Sequence, residues 1–243
     1  MASTLNILAA EESWYIDEVE LKALEIEEKV IGWRRHIHQN PELGNREFET
    51  AALVAQHLQA LNFDVVQTQV AHTGVVGILH GRLPGAVVAL RADMDALPVT
   101  EETGLPYASK VRTTYNGQDV GVMHACGHDA HVAILMGVAE ILSSMRDHIP
   151  GSVKFIFQPA EEGPPEGEDG GAALMVAEGV LQNPPPAAIF GLHIGTRDLN
   201  TLHYGIGPTH ASADVLKIHV KGKQTHAASP WRGVDPIVVA AQI

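Results

Sequence analysis

Between Met123 and His131 the chain places His124, Cys126, His128, Asp129 and His131, and Cys126 is its only cysteine. Thiolate, imidazole and carboxylate at this density are what a transition metal selects. Taken singly, a Cys is more often a small buried hydrophobe and a His a surface residue. Three further sets of ligand-type residues stand elsewhere: Asp93 with Asp95, Glu161 with Glu162, and His193. Adjacent carboxylates have a specific use beside a metal. One can bind the ion while the other takes the proton of a water whose pKa the ion lowers toward ~7. Two metals ~3.5–4 Å apart, bridged by a carboxylate, would also clamp a tetrahedral oxyanion. In isolation, Asp93-Met-Asp95 also reads as a turn with an N-cap, and Glu161-Glu162 as a solvated loop pair.

The elements that must position these residues are legible around them. Val87 to Ala92 is nearly continuously apolar, a strand buried on both faces, and it runs into Asp93. Ser152 to Phe157 has the same character and leads to Gln158-Pro-Ala-Glu-Glu162; Ala188 to Leu192 leads to His193. Three core strands thus end in ligand-type residues. Open α/β sheets place their ligands at the carboxyl ends of strands, so convergence at one sheet edge explains all three sets at once. Asp129 is positioned to cap a helix running to about Met145, with Val132, Leu135, Met136, Ala139 and Leu142 on one face. Cys126 and His128 then lie at or just before its N-terminus, and His131 in its first turn, at the surface or supporting the ligands.

Upstream, residues 16–39 form an amphipathic helix stopped at Asn40-Pro41, and 46–61 a second with Phe48, Ala52, Leu53 and Leu58 on its apolar face. Strand-like segments follow at Phe63–Val70 and Val75–His80. Gly81 to Gly85 reads as the turn of a hairpin joining the latter to Val87–Ala92. Residues 100–122 read as a loop delivering the Cys/His cluster, and Pro164 to Gly171 as an acidic loop before a short helix from Ala172. From about Ala211 the character changes. Asp214 to Val220 alternates as a half-exposed strand, Lys221 to Pro230 is a loop, and Asp235-Pro236 opens a helix. His226, between Lys/Gly and small residues, reads as an exposed residue or as an oxyanion donor carried on a second domain.

Composition narrows the class of function. Twenty-nine acids against 16 Lys and Arg give a net charge of −13, which disfavours nucleic acid and anionic membranes as partners. No run approaches the ~18 apolar residues of a membrane span. The first ten residues lack a signal-peptide pattern, so cytoplasmic is the default compartment; periplasmic or secreted is the alternative if a signal peptide has been removed.

Arg91-Ala-Asp-Met-Asp-Ala-Leu-Pro98, Met123-His-Ala-Cys-Gly-His-Asp129, Phe157-Gln-Pro-Ala-Glu-Glu162, Gly191-Leu-His193 and Gly222-Lys-Gln-Thr-His-Ala227 occur in this order. From about residue 30 onward the chain resembles the N-acyl-amino-acid amidohydrolases, with hippurate hydrolases, bacterial aminoacylases and plant IAA-amino-acid hydrolases. They form one branch of the dinuclear aminoacylase and carboxypeptidase family. The resemblance implies an α/β fold: a mixed-sheet, metallopeptidase-like catalytic domain flanked by helices (residues 1–211) and the start of a smaller α+β lid and dimerisation domain (212–243). It implies hydrolysis of N-acyl amino acids to a carboxylic acid and a free amino acid, with two divalent ions, Zn²⁺ or Mn²⁺, or else Co²⁺ or Ni²⁺. Cys126, His128, Glu162 and His193 would be metal ligands and Glu161 the general base. Asp95 would orient the site and His226 stabilise the oxyanion, in related enzymes from a neighbouring subunit of a homodimer. Asp93 stands where other branches place a His ligand. The family's chains continue further and supply a fifth ligand, a His near the C-terminus, which implies impaired activity for these 243 residues alone. A dipeptidase or carboxypeptidase of the same family, or an inactive metal-binding fragment, are the competing readings. A zinc deaminase is disfavoured, because its His-x-Glu and Pro-Cys-x-x-Cys pattern is absent.

Overall fold

The computed structural model describes residues 2–209, 211–212 and 216–243, with side chains from Tyr15 onward. The chain divides into two compact units, residues 1–195 and 196–243.

The first unit is a five-stranded mixed sheet flanked by helices. Its elements are α1 (Ala2–Gln39), α2 (Phe48–Ala60), β1 (Val65–Val70), β2 (Gly74–His80), β3 (Leu83–Asp93), β4 (Arg112–Tyr115), β5 (Gln118–Gly121), α3 (His128–Ser144), β6 (Pro150–Gln158), α4 (Gly171–Ala177) and β7 (Ala188–Gly191). The sheet order is β1-β2-β6-β3-β7. β2 pairs antiparallel with β1 and β6, whereas β3 runs parallel to β6 and β7. Strand periodicity divides the apolar side chains between two faces. Val75, Leu79, Phe155 and Phe157 pack with Leu58 of α2 and Met136 of α3, while Val76, Ile156 and Ala89 pack with Met175 of α4. Helix α1 is stitched onto α3 through Ile26, Ile141 and Met145. The Asn40 side chain closes its C-terminus, donating to the carbonyl of His36 at 2.8 Å.

Several expectations fail here. β2 and β3 do not form a hairpin, because β6 lies between them. A strand apolar on both faces gains most from a neighbour on each side, and β3 has β6 and β7. The connection from β2 instead folds against the start of β6, where a Cβ on Gly81 would meet the Ile149 carbonyl oxygen at 2.0 Å. The region 100–122 is not all loop, since β4 and β5 form a two-stranded sheet. Their turn is Asn116-Gly117, both with positive φ, a hairpin signal visible in the sequence. In α2 the buried face is Thr50, Val54, Ala55 and Leu58, and Phe48 is exposed. Asp129 does not cap α3; Gly127, which has no side chain to cap with, occupies that position. The Asp129 carboxylate instead receives Arg34 Nε at 2.7 Å and pairs with His38 Nδ1 at 2.9 Å. A guanidinium brings a full positive charge to the carboxylate, whereas a backbone amide at the cap brings only a dipole.

In the second unit, α5 (Pro236–Ala240) begins as expected, with Asp235 Oδ1 accepting the Ile237 amide at 2.9 Å. A 3₁₀ turn covers Pro230–Arg232, and an isolated bridge joins Lys223 to Val234. The strand expected over 214–220 falls partly outside the described residues, and its described part, 216–220, has no strand pairing. Among the described residues no helix is long and apolar enough to cross a membrane.

Candidate metal centre

Parallel pairing sets the carboxyl ends of β3, β6 and β7 at one edge, with Asp93 opposite Gln158 and Arg91 opposite Gly191. The chain beyond each end carries Asp95, Glu161 with Glu162, and His193. Helix α3 delivers the remaining groups. Gly127 has φ of 90°, and a Cβ there would come within 2.3 Å of Ile194. Only glycine suits that turn, which ends in Cys126 on one side and His128 on the other.

His128 lies at the centre. Its side chain is fully buried, and its Nε2 is 3.7 Å from Asp93 Oδ2, 3.7 Å from Glu161 Oε2 and 3.9 Å from Glu162 Oε1. Its Nδ1 donates to the Asp95 carbonyl at 2.8 Å. The Cys126 Sγ is 3.4 Å from His193 Nε2, and His193 Nδ1 donates to the Ile194 carbonyl at 2.6 Å. Both imidazoles therefore donate from Nδ1 to backbone and turn the Nε2 lone pair toward the centre, the arrangement in which metal-ligating His is oriented. Asp95 ties two parts together, because its Oδ2 also accepts the Glu162 amide at 2.9 Å. Among the described residues three groups bring ligand atoms within 4.8 Å of one another: Cys126, His128 and His193; Asp93, His128 and His131; His128, Glu161 and Glu162.

The electrostatics ask for a cation. Among the described residues His128 Nε2 is buried without a hydrogen-bond partner, facing three carboxylates. Burial, then the neighbouring Glu162, Glu161 and Asp93 charges, push the Cys126 thiol up to about 12. Burial and the Asp93 charge raise Glu161. Burial alone would lower His128, but its Asp95 hydrogen bond and the Asp93 charge raise it on balance. A positive ion among these groups would reverse each penalty, and a coordinating thiol is deprotonated outright. Thiolate, imidazole and carboxylate together suit a borderline-soft divalent ion.

The expected residues Cys126, His128, Glu161, Glu162, His193 and Asp95 thus come together. His226 belongs to the second unit, where its Nδ1 accepts the Ala228 amide at 3.1 Å. His131 is not at the surface: it is buried and its Nδ1 donates to Asp93 Oδ1 at 2.6 Å, leaving Nε2 to accept the Ile194 amide at 2.9 Å. It thereby anchors the backbone beside His193. Asp93 also receives Arg91 Nη1 at 2.6 Å. Burial works against its charge, but His131 and Arg91 hold its carboxyl down at about 2. The spacing of His131, three residues after His128 on one helix face, was the available signal for this pair.

His124 yields a stability prediction. Neither of its ring nitrogens has a partner among the described residues, and burial lowers its pKa to about 4. The unfolded chain takes up this proton near 6.5 and the folded chain only near 4. Between those values the unfolded state binds more protons, so stability falls as pH drops through that window, by up to about 3 kcal/mol. Urea unfolding at pH 7 and pH 4.5 should show a shallower decline for His124→Phe than for the unsubstituted chain. Equal declines would remove His124 as the cause.

Comparison with known proteins bears on what such a centre does. Residues 89–242 match peptidase family M20/M25/M40. Thermostable carboxypeptidase 2 of Saccharolobus solfataricus is 42% identical over 94% of this chain and 55% of its own length. The N-acyl-L-amino acid amidohydrolase of Geobacillus stearothermophilus is 41% identical over 93% of this chain and 58% of its own length. The chain therefore spans about half the length of these curated relatives. The Bacillus subtilis YXEP protein, described as a dinuclear metal-binding peptidase of the M20 family, superposes with a TM-score of 0.60. It is 40% identical, covering 70% of this chain and 43% of that one.

Proposed function

The chain belongs to peptidase family M20/M25/M40, and from that premise we propose that it is the catalytic part of a dinuclear metal-dependent amidohydrolase cleaving N-acyl amino acids. The observation that carries this is the convergence of Cys126, His128, Glu161, Glu162 and His193 at one sheet edge, around a buried imidazole nitrogen with no partner among the described residues.

In this reading Cys126, His128, Glu162 and His193 hold two divalent ions. Bound there, the ions would supply Lewis-acid polarisation of the scissile carbonyl and make an adjacent water acidic enough to lose a proton near neutral pH. Glu161 takes that proton and returns it to the departing amine. Its Oε2 stands 3.7 Å from His128 Nε2 and its side chain is 39% exposed, so it faces the centre while staying within reach of water. Asp95 orients His128 through Nδ1 and holds the Glu162 backbone. The Arg91–Asp93–His131 chain steadies the segment beside His193. We assign the ions as Zn²⁺ or Mn²⁺, with Co²⁺ and Ni²⁺ as the alternatives that this mixed donor set also accepts. The chain beyond about residue 211 is read as the start of a lid through which two copies pair, with His226 as its oxyanion donor.

The carboxypeptidase names of two relatives at 42% identity raise a second reading, hydrolysis of peptides at a free carboxyl end, which the deacetylase and amidohydrolase names of others at 41% do not favour. Both readings cleave an amide beside a carboxylate, so the chemistry of the centre is shared and the pocket decides. N-acetyl and N-benzoyl amino acids, assayed beside dipeptides and longer peptides with Zn²⁺ or Mn²⁺ supplied, distinguish them. Turnover should be greatest on the N-acyl amino acids and vanish with a chelator. Turnover confined to peptides, or indifferent to chelation, rejects the proposal.

A further inference from the structure

Glu47 is an ionisable residue with no exposed surface, outside the groups that surround His128. It occupies the N-cap position of α2, yet its side chain makes no capping bond. Glu42 does that work instead, accepting the Glu49 amide at 3.0 Å and the Thr50 amide at 2.8 Å. The Glu47 carboxylate is thereby free to reach across to another part of the chain. One oxygen accepts the Thr73 hydroxyl, and the other accepts the backbone amide of Ala160 at 2.8 Å.

Ala160 immediately precedes Glu161 and Glu162. It is buried and held in the left-handed region, with φ of 47°, a conformation that a non-glycine residue keeps only when its surroundings impose it. Those surroundings come from the segment carrying Glu47. A Cβ on Gly44 would stand 2.8 Å from the Gly163 carbonyl oxygen and 3.1 Å from Ala160 Cα, so the two backbones touch. Asn45 Nδ2 donates to the Asp169 carbonyl at 3.0 Å. Burial, then the Asp95 charge among smaller contributions, pushes the Glu47 carboxyl up to about 7 against the pull of Thr73, the Ala160 amide and its own backbone amide. A buried acid kept at such a cost has a use beyond packing.

We propose that Glu47 is a positioning residue that clamps the Pro159–Ala160 turn by the Ala160 amide and so aims Glu161 and Glu162 at the metal centre. The assignment rests on the roles given above to Glu161 and Glu162. Reach matters here more than charge. Glu47→Gln has the same length: its amide oxygen accepts from Ala160, and its NH₂ donates to the Thr73 hydroxyl, which rotates to accept. Glu47→Asp keeps the carboxylate and suits an N-cap, but is one methylene too short to span the gap.

The test compares the full chain with both variants, each first shown to be folded by circular dichroism. Amide hydrogen exchange is read at Ala160 in the metal-free protein. Cobalt(II) affinity is read by titration, together with the thiolate-to-cobalt absorption reporting Cys126. Glu47→Asp should lose about tenfold in cobalt affinity, the range seen when a group orienting a ligand is removed. Its Ala160 amide should exchange about tenfold faster, as local opening there becomes easier, while Glu47→Gln retains both properties. Unchanged cobalt affinity in Glu47→Asp overturns the proposal, as does an equal loss in both variants with Ala160 protection intact. If the unsubstituted chain takes up no cobalt, the ligand assignment of Glu162 fails, and exchange at Ala160 still decides whether the clamp exists.

Discussion

Glu161→Gln lowers turnover of N-acyl amino acids by about 10²- to 10⁴-fold, the usual contribution of a positioned general base, and leaves the bound metal content unchanged. The substitution keeps the shape of the side chain and removes only its ability to take a proton. The separation of roles follows from geometry. Glu161 Oε2 stands 3.7 Å from His128 Nε2, and its side chain is 39% exposed, against 25% for Glu162. Glu162 is the more constrained of the two, because its backbone amide is held by Asp95 at 2.9 Å. The fixed carboxylate suits a ligand, and the more open one suits a base that meets water and later a departing amine. Kinetics on the best N-acyl amino acid, with elemental analysis of both proteins, checks this. Normal turnover in the variant would remove Glu161 as the base; lost metal would make it a ligand.

His128→Ala should have the largest effect on metal binding. Among the described residues this imidazole is the member common to all three ligand groups, and its buried Nε2 has no hydrogen-bond partner. Losing a group that merely orients a ligand costs roughly 10- to 100-fold in affinity, so losing the central ligand should cost at least about 100-fold. Removal of His128 also frees the Asp95 carbonyl that its Nδ1 holds at 2.8 Å. Titration calorimetry with Zn²⁺, beside a Cys126→Ser variant retaining His128, gives the comparison. Affinity unchanged in His128→Ala would mean that the ion sits elsewhere. Equal unfolding midpoints of the metal-free proteins would show that the loss is one of ligation rather than of fold.

The two kinds of residue at this centre were unequally legible. Cys126, His128, Glu161, Glu162 and His193 announce themselves by type and by standing at the ends of apolar strands or the start of a helix. Supporting residues do not. His131 looks like one more imidazole in a helical turn until Asp93 Oδ1 and the Ile194 amide are found at its two nitrogens. Asp129 has the type and place of an N-cap, but Arg34 and His38, far away in the chain, claim its carboxylate. Glu47 sits where an acid ordinarily caps its own helix, and only the packing of Gly44 against Ala160 turns it toward the metal centre. The Asn116-Gly117 turn is the opposite case, a local signal present in the sequence that the surrounding irregular composition obscured.

From the sequence alone came the fold class, the positions of the principal strands and helices, and the chemical character of the centre. These depend on side-chain type and on periodicities of two and 3.6 residues, which are local properties. Tertiary structure alone decided that β6 enters between β2 and β3, so that β3, β6 and β7 present their carboxyl ends together. It also decided which nitrogen of each imidazole faces the centre. Strand order and hydrogen-bond partnership are settled by competition among groups distant in the chain, and local patterning does not report who wins. The ligands could therefore be named from their surroundings in the sequence, whereas the residues that aim them became visible only once the chain was folded.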